Sequence, residues 1–528
     1  VDSTSIQHII SNSDVISPGT PVVYQLKTRK ETVETLTRVT FGKKKQSKPN
    51  KTILLVGETG AGKSTLINAL VNYAMGVTFE DKAWFQIIED EKRSQTESQT
   101  SDVIVYQIFG FEGKTLPFSL TIIDTPGYGD TRGIEHDIIV SERLFQLFQS
   151  KNGIHELHAV GLVVKSSVNR LSDRLKYIFD SVMSQFGKDI EEKIVALVTH
   201  SNGRKPKDLL GALNAAKIKC AKDEKEQPVY FLFNNCQHEE RTEGTEEKKE
   251  PLKIADNVTM RGLSGFTAFL GKTAPRKLDM TLDVLNERIR LSACIQNLQE
   301  RIRLSELKEA EITQIKEALK NHEEKKEKNE KFAVEVHEAY KEKEAIGGEL
   351  WLMTLIKGAV CCTVCEENCH YSGCTKLPKD CEVMKDGRCT VCSSKCPVSV
   401  HVKGKWRYVT RTRKVQRNME DIRKRSKIQR RLSFLESLKG EITNLKAEKS
   451  NLLEECFQHV VNLEQIALKV NSVSTFVHLD FLIDKMKENG ETKKAQKLEE
   501  IKKKGDEGNG SMLQYVWGKF EALKRKVK

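Results

Sequence analysis

Gly57-Glu58-Thr59-Gly60-Ala61-Gly62-Lys63-Ser64 is a glycine-rich run closing on a lysine and a hydroxyl, and it fits G-x-x-x-x-G-K-S. In such a run the glycines let the main chain wrap a chain of phosphates, while amide N–H groups and the following helix N-terminus supply partial positive charge. Lys63 then reaches the terminal phosphates, the Ser64 hydroxyl ligates Mg²⁺, and Thr65 opens the helix. The flanks agree: the apolar run Ile53-Leu54-Leu55-Val56 precedes the motif and reads as a buried strand, and Thr65 to Val71 reads as helix. A second group, Asp124-Thr125-Pro126-Gly127, follows the apolar Leu120-Thr121-Ile122-Ile123. An acid at that strand end holds Mg²⁺ through water, and the Gly127 amide sits near a γ-phosphate.

These groups need a scaffold. From Lys51 to about Phe269 short apolar stretches at 52–57, 103–108, 119–123, 158–165, 193–199 and 228–233 alternate with helical stretches near 63–74, 134–150, 170–186, 207–222 and 258–270. That alternation predicts an α/β domain over 51–277, a mostly parallel sheet covered on both faces, with ligands at the carboxyl ends of the strands. Residues 1–20 read as a poorly ordered tail. Val22 to Leu26 and Val33 to Phe41 read as a short hairpin, so that 1–50 forms a separate N-terminal piece.

The residues Gly57 to Ser64, together with Asp124-Thr125-Pro126-Gly127-Tyr128-Gly129-Asp130, resemble the septin-like branch of GTPases that includes the Toc and GIMAP (immunity-associated) proteins. The resemblance covers roughly 50–270. It implies a Ras-like P-loop fold, binding of GTP and GDP with Mg²⁺, and homodimerisation across the nucleotide face. It also directs attention to the next two strand ends for base recognition. Thr199-His200-Ser201-Asn202 is similar to the family's Thr-His variant, in which the imidazole lies against guanine. Asn202 departs from the usual Asp, and an amide has one acceptor oxygen where a carboxylate accepts both guanine N–H groups. Phe233-Asn234-Asn235 resembles the last base-contacting loop. Thr96 and Thr100 each end a Ser-Gln-Thr, and Thr100 is the better placed to bring Mg²⁺ and γ-phosphate together within a long polar switch at 76–101. No Gln occurs between Gly127 and Gln146, so hydrolysis is expected to be slow. Arg132 is a candidate charge-neutralising residue in cis or across a dimer. A scaffold that retains its nucleotide permanently is the competing expectation within the same resemblance.

From Leu278 the composition turns to Glu, Lys, Leu and Ile. Leu291, Ile295, Leu298 and Ile302, and later Leu435, Leu438, Ile442, Leu445 and Leu452, keep heptad-like spacings. These predict two long helices, about 278–345 and 415–470, as an antiparallel coiled-coil arm with a cysteine-dense insert at its tip and a C-terminal helical region at 471–528. In domain terms these are a helix at 278–350, a Cys-rich module at 351–402 and a returning segment at 403–470. Nine of the 13 Cys lie within residues 361–396. Two C-x2-C-x3-C runs predict two structural Zn²⁺ sites: Cys362, Cys365, Cys369 or His370, and Cys374 for one, and Cys389, Cys392, Cys396 and His401 for the other, interleaving remaining open. Val1-Asp2-Ser3 carries no secretion-like pattern, which favours zinc over disulfides and a cytosolic setting. Cys220, Cys236, Cys294 and Cys456 read as ordinary thiols.

Charge divides the same way. The net +13 falls as +3 on residues 1–277 and +10 on the rest, and Lys403 to Arg431 alone holds 13 basic residues against Glu420 and Asp421. This strip beside the cysteines is a candidate surface for nucleic acid, anionic lipid or an acidic protein. A nucleic-acid binder acting through the tip and strip is therefore the third class of function the composition allows. No stretch reaches the ~20 apolar residues of a membrane span.

Overall fold

The computed structural model describes residues 5–33, 36–89, 103–126, 134–241, 246–324, 333–346, 358–371, 374, 376–418, 433–470 and 473–506. They divide into two compact units, the first running to Leu285 and including Ile466–Val473, the second taking Asn286–Gln465 and Ser474–Lys502.

The first unit is built on an eight-stranded sheet in the order Tyr230–Leu232, Ile194–Thr199, Ala159–Lys165, Asn50–Gly57, Ser119–Asp124, Ile104–Ile108, Leu36–Phe41, Arg29–Val33. The pairings are parallel except Ile104–Ile108 with Ser119–Asp124 and the closing hairpin. Ile53, Leu54, Leu55 and Val56 are fully buried, as expected of a central parallel strand covered on both faces. Gly161 marks how close the layers come: a Cβ there would lie 2.4 Å from Leu197 Cδ1. The six expected strands and five expected helices are all present. The last helix is longer than its periodicity suggests, spanning Glu246–Lys272 and starting before Pro251.

Two expectations for the N-terminus fail. Residues 5–17 form the helix Ile6–Ser11 and the strand Ser13–Ser17. The hairpin joins Arg29–Val33 to Leu36–Phe41, whereas Val22–Leu26 pairs with Ser13–Ser17 and Ala83–Gln86 in a separate sheet. Ile9, Val23, Leu26 and Val39 enter the same core as the phosphate-loop helix, so 1–50 is not a separate piece. Burial of these apolar side chains offsets the ordering entropy of a polar segment.

In the second unit, Asp279–Glu324 and Ser433–Ile466 supply two long helices, followed by Val473–Glu488 and Thr492–Asp506. Contacts between Glu287 and His459, Cys294 and Cys456, Arg301 and Glu448, and Lys308 and Glu441 show that the two long helices run antiparallel. Leu291, Ile295, Leu298, Ile442, Leu445 and Leu452 are buried as the heptad spacing requires.

The first long helix stops at Glu324 rather than near 345. Ala333–Ala345 is a strand, paired antiparallel along its whole length with Trp406–Asn418. The basic strip is thus part of a ribbon. Arg407, Arg411, Arg413 and Lys414 meet Glu344, Glu342, Glu338 and Glu335 across it, so four of the basic residues in its described half are matched by acids from the facing strand. The signal was the alternation Trp406, Tyr408, Thr410, Thr412, aromatic and β-branched residues on one face. The Cys-rich insert is also not at a tip. It packs on the flank of the helix pair through Ile289 and Ala293, with Arg301 bonded to Glu367 and Ser393 and Lys395 to Glu455. The expected C-terminal helical region is helical as far as Asp506, and its remainder falls outside the described residues.

Candidate functional sites

The phosphate loop leaves the central strand at Gly57, where a Cβ would lie 2.5 Å from the Val163 carbonyl oxygen, so no side chain fits without moving backbone. Gly60 and Gly62 take φ of 78° and 88°, the left-handed region that glycine occupies freely. Gly62 caps the helix Lys63–Met75, whose N-terminal amides face the loop. The Thr59 hydroxyl is buried and has no hydrogen-bond partner, a donor suited to a phosphate oxygen. Lys63 is 7% exposed and donates to the Gly57 carbonyl at 3.1 Å. Burial lowers its pKa, and the charges of Asp124 and Glu58 oppose that shift, which puts the Asp124 carboxylate within electrostatic reach of the ammonium. Asp124 and Thr125 are fully buried, and Thr125 Oγ1 donates to Leu55 O at 2.9 Å. Glu58 is paired with Arg174 at 3.1 Å. Ser64 and Thr65 begin the helix at the loop's end. Dense amide donors, a buried lysine and a buried carboxylate fit a Mg²⁺–polyphosphate group.

The residues expected to meet the base come from two strand ends. Thr199 Oγ1 donates to Ala61 O at 2.7 Å, tying this strand end to the phosphate loop. His200 has φ 53°, and its Cε1 would be 3.5 Å from a Cβ on Gly62, so the ring lies beside the loop. Burial and Lys165 lower its pKa, favouring a neutral ring. Asn202 uses its carbonyl oxygen to accept the Arg204 N–H at 3.0 Å, which leaves its amide nitrogen, a donor, for a ligand. Asn234 is held by its N–H donating to Thr259 Oγ1 at 2.9 Å, and Thr259 donates to Asn235 Oδ1 at 3.3 Å. An open cleft of about 500 Å³ is lined by Ser201, Asn202, Asn234, Glu250, Ile254 and Val258, among others. Sequence reasoning missed Glu250 and Ile254 because it started the helix at 258.

Of the expected switch residues, Thr96, Thr100, Gly127 and Arg132 lie outside the described residues. The described part of the expected polar switch is ordered at Ala83–Gln86, a strand with Trp84 and Phe85 in the core.

The cysteines converge in three groups: Cys362, Cys365, Cys392 and Cys396; Cys369, Cys389, Cys392 and His401; and His370, Cys374, Cys381 and Glu382. Ligand atoms within each group lie within 4.8 Å of one another. Cys369 and Cys374 do not join Cys362 and Cys365, so the grouping by run is replaced by one that crosses between runs. Cys369 and His370, neighbours on the strand Glu367–His370, cannot be alternatives for one site because successive strand residues face opposite ways. Cys381 and Glu382 complete a group that the sequence spacing did not disclose.

A mostly parallel sheet, a glycine-rich loop on a helix N-terminus, a buried lysine and a buried carboxylate at the neighbouring strand end define a P-loop nucleotide-binding α/β domain. Residues 51–262 match the model of the AIG1 family. Solved structures that resemble it include Toc33 from Arabidopsis thaliana in complex with GDP and Mg²⁺, 16% identical, covering 44% of this chain and 88% of that one with a TM-score of 0.30. LeoA, a bacterial dynamin GTPase from ETEC, is 15% identical and covers 52% of this chain and 46% of its own, with a TM-score of 0.25. No curated protein matches. Among the described residues, no helix is long and apolar enough to cross a membrane.

Proposed function

We propose that the first unit is a Mg²⁺-dependent guanine-nucleotide switch of the cytosol with slow GTP hydrolysis, dimerising across its nucleotide face and presenting the helical arm according to nucleotide state. The observation that carries this reading is the cleft beside the phosphate loop, where Asn202, Asn234 and Glu250 converge next to His200. Glu250 provides the carboxylate acceptor for guanine N–H groups that Asn202 lacks, and His200 supplies the ring face. Ser64, Asp124 and Thr100 are assigned to Mg²⁺, Lys63 and Gly127 to the terminal phosphate, and Asn235 to support of the base loop. Slow turnover follows from the lack of an early Gln after Gly127. In the second unit, the cysteine groups are read as structural zinc sites.

Titration with GTP, GDP, ATP and their non-hydrolysable analogues, followed by fluorescence and light scattering, tests the switch. Guanine preference and a mass increase with the GTP analogue are expected. Equal affinity for ATP overturns the base assignment, and an unchanged mass overturns the dimer. Tight nucleotide with neither turnover nor exchange points instead to a scaffold. If Arg132→Ala leaves the hydrolysis rate of concentrated protein intact, Arg132 is not the charge-neutralising group.

A further inference from the structure

We propose that residues 359–404 bind three Zn²⁺ ions, two of them sharing the thiolate of Cys392, with Glu382 completing the third site. This rests on the zinc reading of the second unit and is independent of the nucleotide reading of the first.

The count comes from the geometry. Three four-ligand groups have twelve positions, and eleven side chains fill them because Cys392 belongs to two groups. Strand alternation enforces the separation. Cys369 and His370 leave opposite faces of one strand. Cys361 and Cys362 do the same on Ala359–Cys362, so Cys361 turns away to Asn368 at 3.4 Å and packs with Ala359 and Tyr408. Cys362 and His401 are directly opposite in neighbouring strands, yet they serve different groups that meet at Cys392.

The distances discriminate between metal and disulfide. Cys365 and Cys396 sulfurs are 3.6 Å apart, as are those of Cys374 and Cys381. A tetrahedron with Zn–S of about 2.3 Å has an edge of about 3.8 Å, whereas a disulfide needs about 2.05 Å. The sulfurs are also set up as thiolates. Cys362 Sγ accepts the Cys365 N–H at 3.4 Å, Cys392 Sγ that of Cys396 at 3.2 Å, and Cys389 Sγ those of Val391 and Cys392 at 3.3 and 3.4 Å.

The two imidazoles are held differently. His401 Nδ1 is 2.9 Å from the Pro397 carbonyl, which assigns the proton to Nδ1, and its buried Nε2 has no hydrogen-bond partner. That is the arrangement of a histidine oriented for a metal. His370 Nδ1 lies 3.2 Å from Cys381 Sγ and 3.3 Å from Glu382 Oε2, while Lys376 holds the other Glu382 oxygen at 3.1 Å. Four, three and two thiolates in the three groups, completed by an imidazole in two of them and by a carboxylate in one, select Zn²⁺ over Mg²⁺ or Ca²⁺.

Native mass spectrometry of the full chain, purified under reducing conditions and loaded with Zn²⁺, should show three ions. Two ions overturn the third site and leave His370–Glu382 as an ion pair; none overturns the zinc reading itself. His370→Ala should hold two ions and Cys361→Ser three; three ions in His370→Ala overturn the assignment of that group. Cys392→Ala, challenged with a chelator that the unaltered chain withstands, should retain one ion, and retention of two means that Cys392 serves a single site. If that variant does not fold, Co²⁺ substitution of the unaltered chain decides the point. A shared thiolate couples two Co²⁺ ions and lowers the magnetic moment below that of three isolated ions, and the full isolated moment overturns the sharing.

Discussion

Gly262 sits where the helix Glu246–Lys272 crosses the strand that carries the base loop, and a Cβ there would lie 1.9 Å from the Leu232 carbonyl oxygen and 3.1 Å from Phe233 Cδ1. The first obstacle is main chain, so Gly262→Ala must displace the helix until that separation exceeds 3.0 Å. One turn earlier Thr259 holds the Asn234 N–H at 2.9 Å, and the displacement pulls this bond apart. Overpacking of this kind costs about 1–3 kcal/mol, with about 1 kcal/mol of helix propensity acting in the opposite direction. Gly211→Ala isolates the steric part, because it is also helical but has nothing within 4 Å of its Cβ. Urea denaturation should therefore place Gly262→Ala about 1–3 kcal/mol below Gly211→Ala. Loss of the hydrogen bond that fixes Asn234, worth about 1 kcal/mol, should weaken GTP binding severalfold, measured with a fluorescent analogue. Equal stability and equal affinity of the two variants would refute the claim that helix–strand contact at Gly262 sets the base loop.

Thr199→Val removes the buried hydroxyl that donates to Ala61 O; the unpartnered carbonyl should cost about 1–3 kcal/mol in chemical denaturation and weaken nucleotide binding through the phosphate loop. Asn72 bonds Phe85 in both directions, accepting its N–H at 3.0 Å and donating to its carbonyl at 2.7 Å. Asn72→Ala should therefore destabilise the first unit by about 2–4 kcal/mol, read from the urea midpoint. His158 is 3% exposed and accepts the Thr52 N–H at 3.1 Å, and burial, with Lys51 and Lys193 nearby, pushes its pKa down to about 4. Its folded pKa lies below the unfolded value of about 6.5, so the unfolded chain takes up the proton first as pH falls. Stability should be full above about pH 6.5 and decline toward pH 4 by at most about 3 kcal/mol. Urea midpoints at about pH 7.5 and about pH 5 should differ accordingly, and His158→Gln should flatten that difference.

The phosphate loop was legible because its chemistry is local: eight consecutive residues, an apolar strand before them and a helix after them specify one conformation. The same holds for Asp124 at its strand end and for the antiparallel helix pair, whose seam is periodic. Glu250 was not legible, because it reaches the cleft beside Asn202 and Asn234 only once the helix extends back past Pro251. Over Ala333–Ala345, Glu, Lys and Ala favour a helix locally, but pairing with Trp406–Asn418 and cross-strand ion pairs override that weak preference. That pairing also changed the meaning of the basic strip, from an open positive surface to one with acids opposite much of it.

The sequence by itself therefore determined the nucleotide loop, the α/β alternation and the fact that cysteines are concentrated in one insert, since each depends on neighbours in the chain. Which cysteine meets which, that Cys369 and His370 part company, and that Cys392 stands between two groups were decided only by tertiary structure. A ligand set is a matter of which strand faces meet across long sequence separations, and spacing along the chain does not encode that.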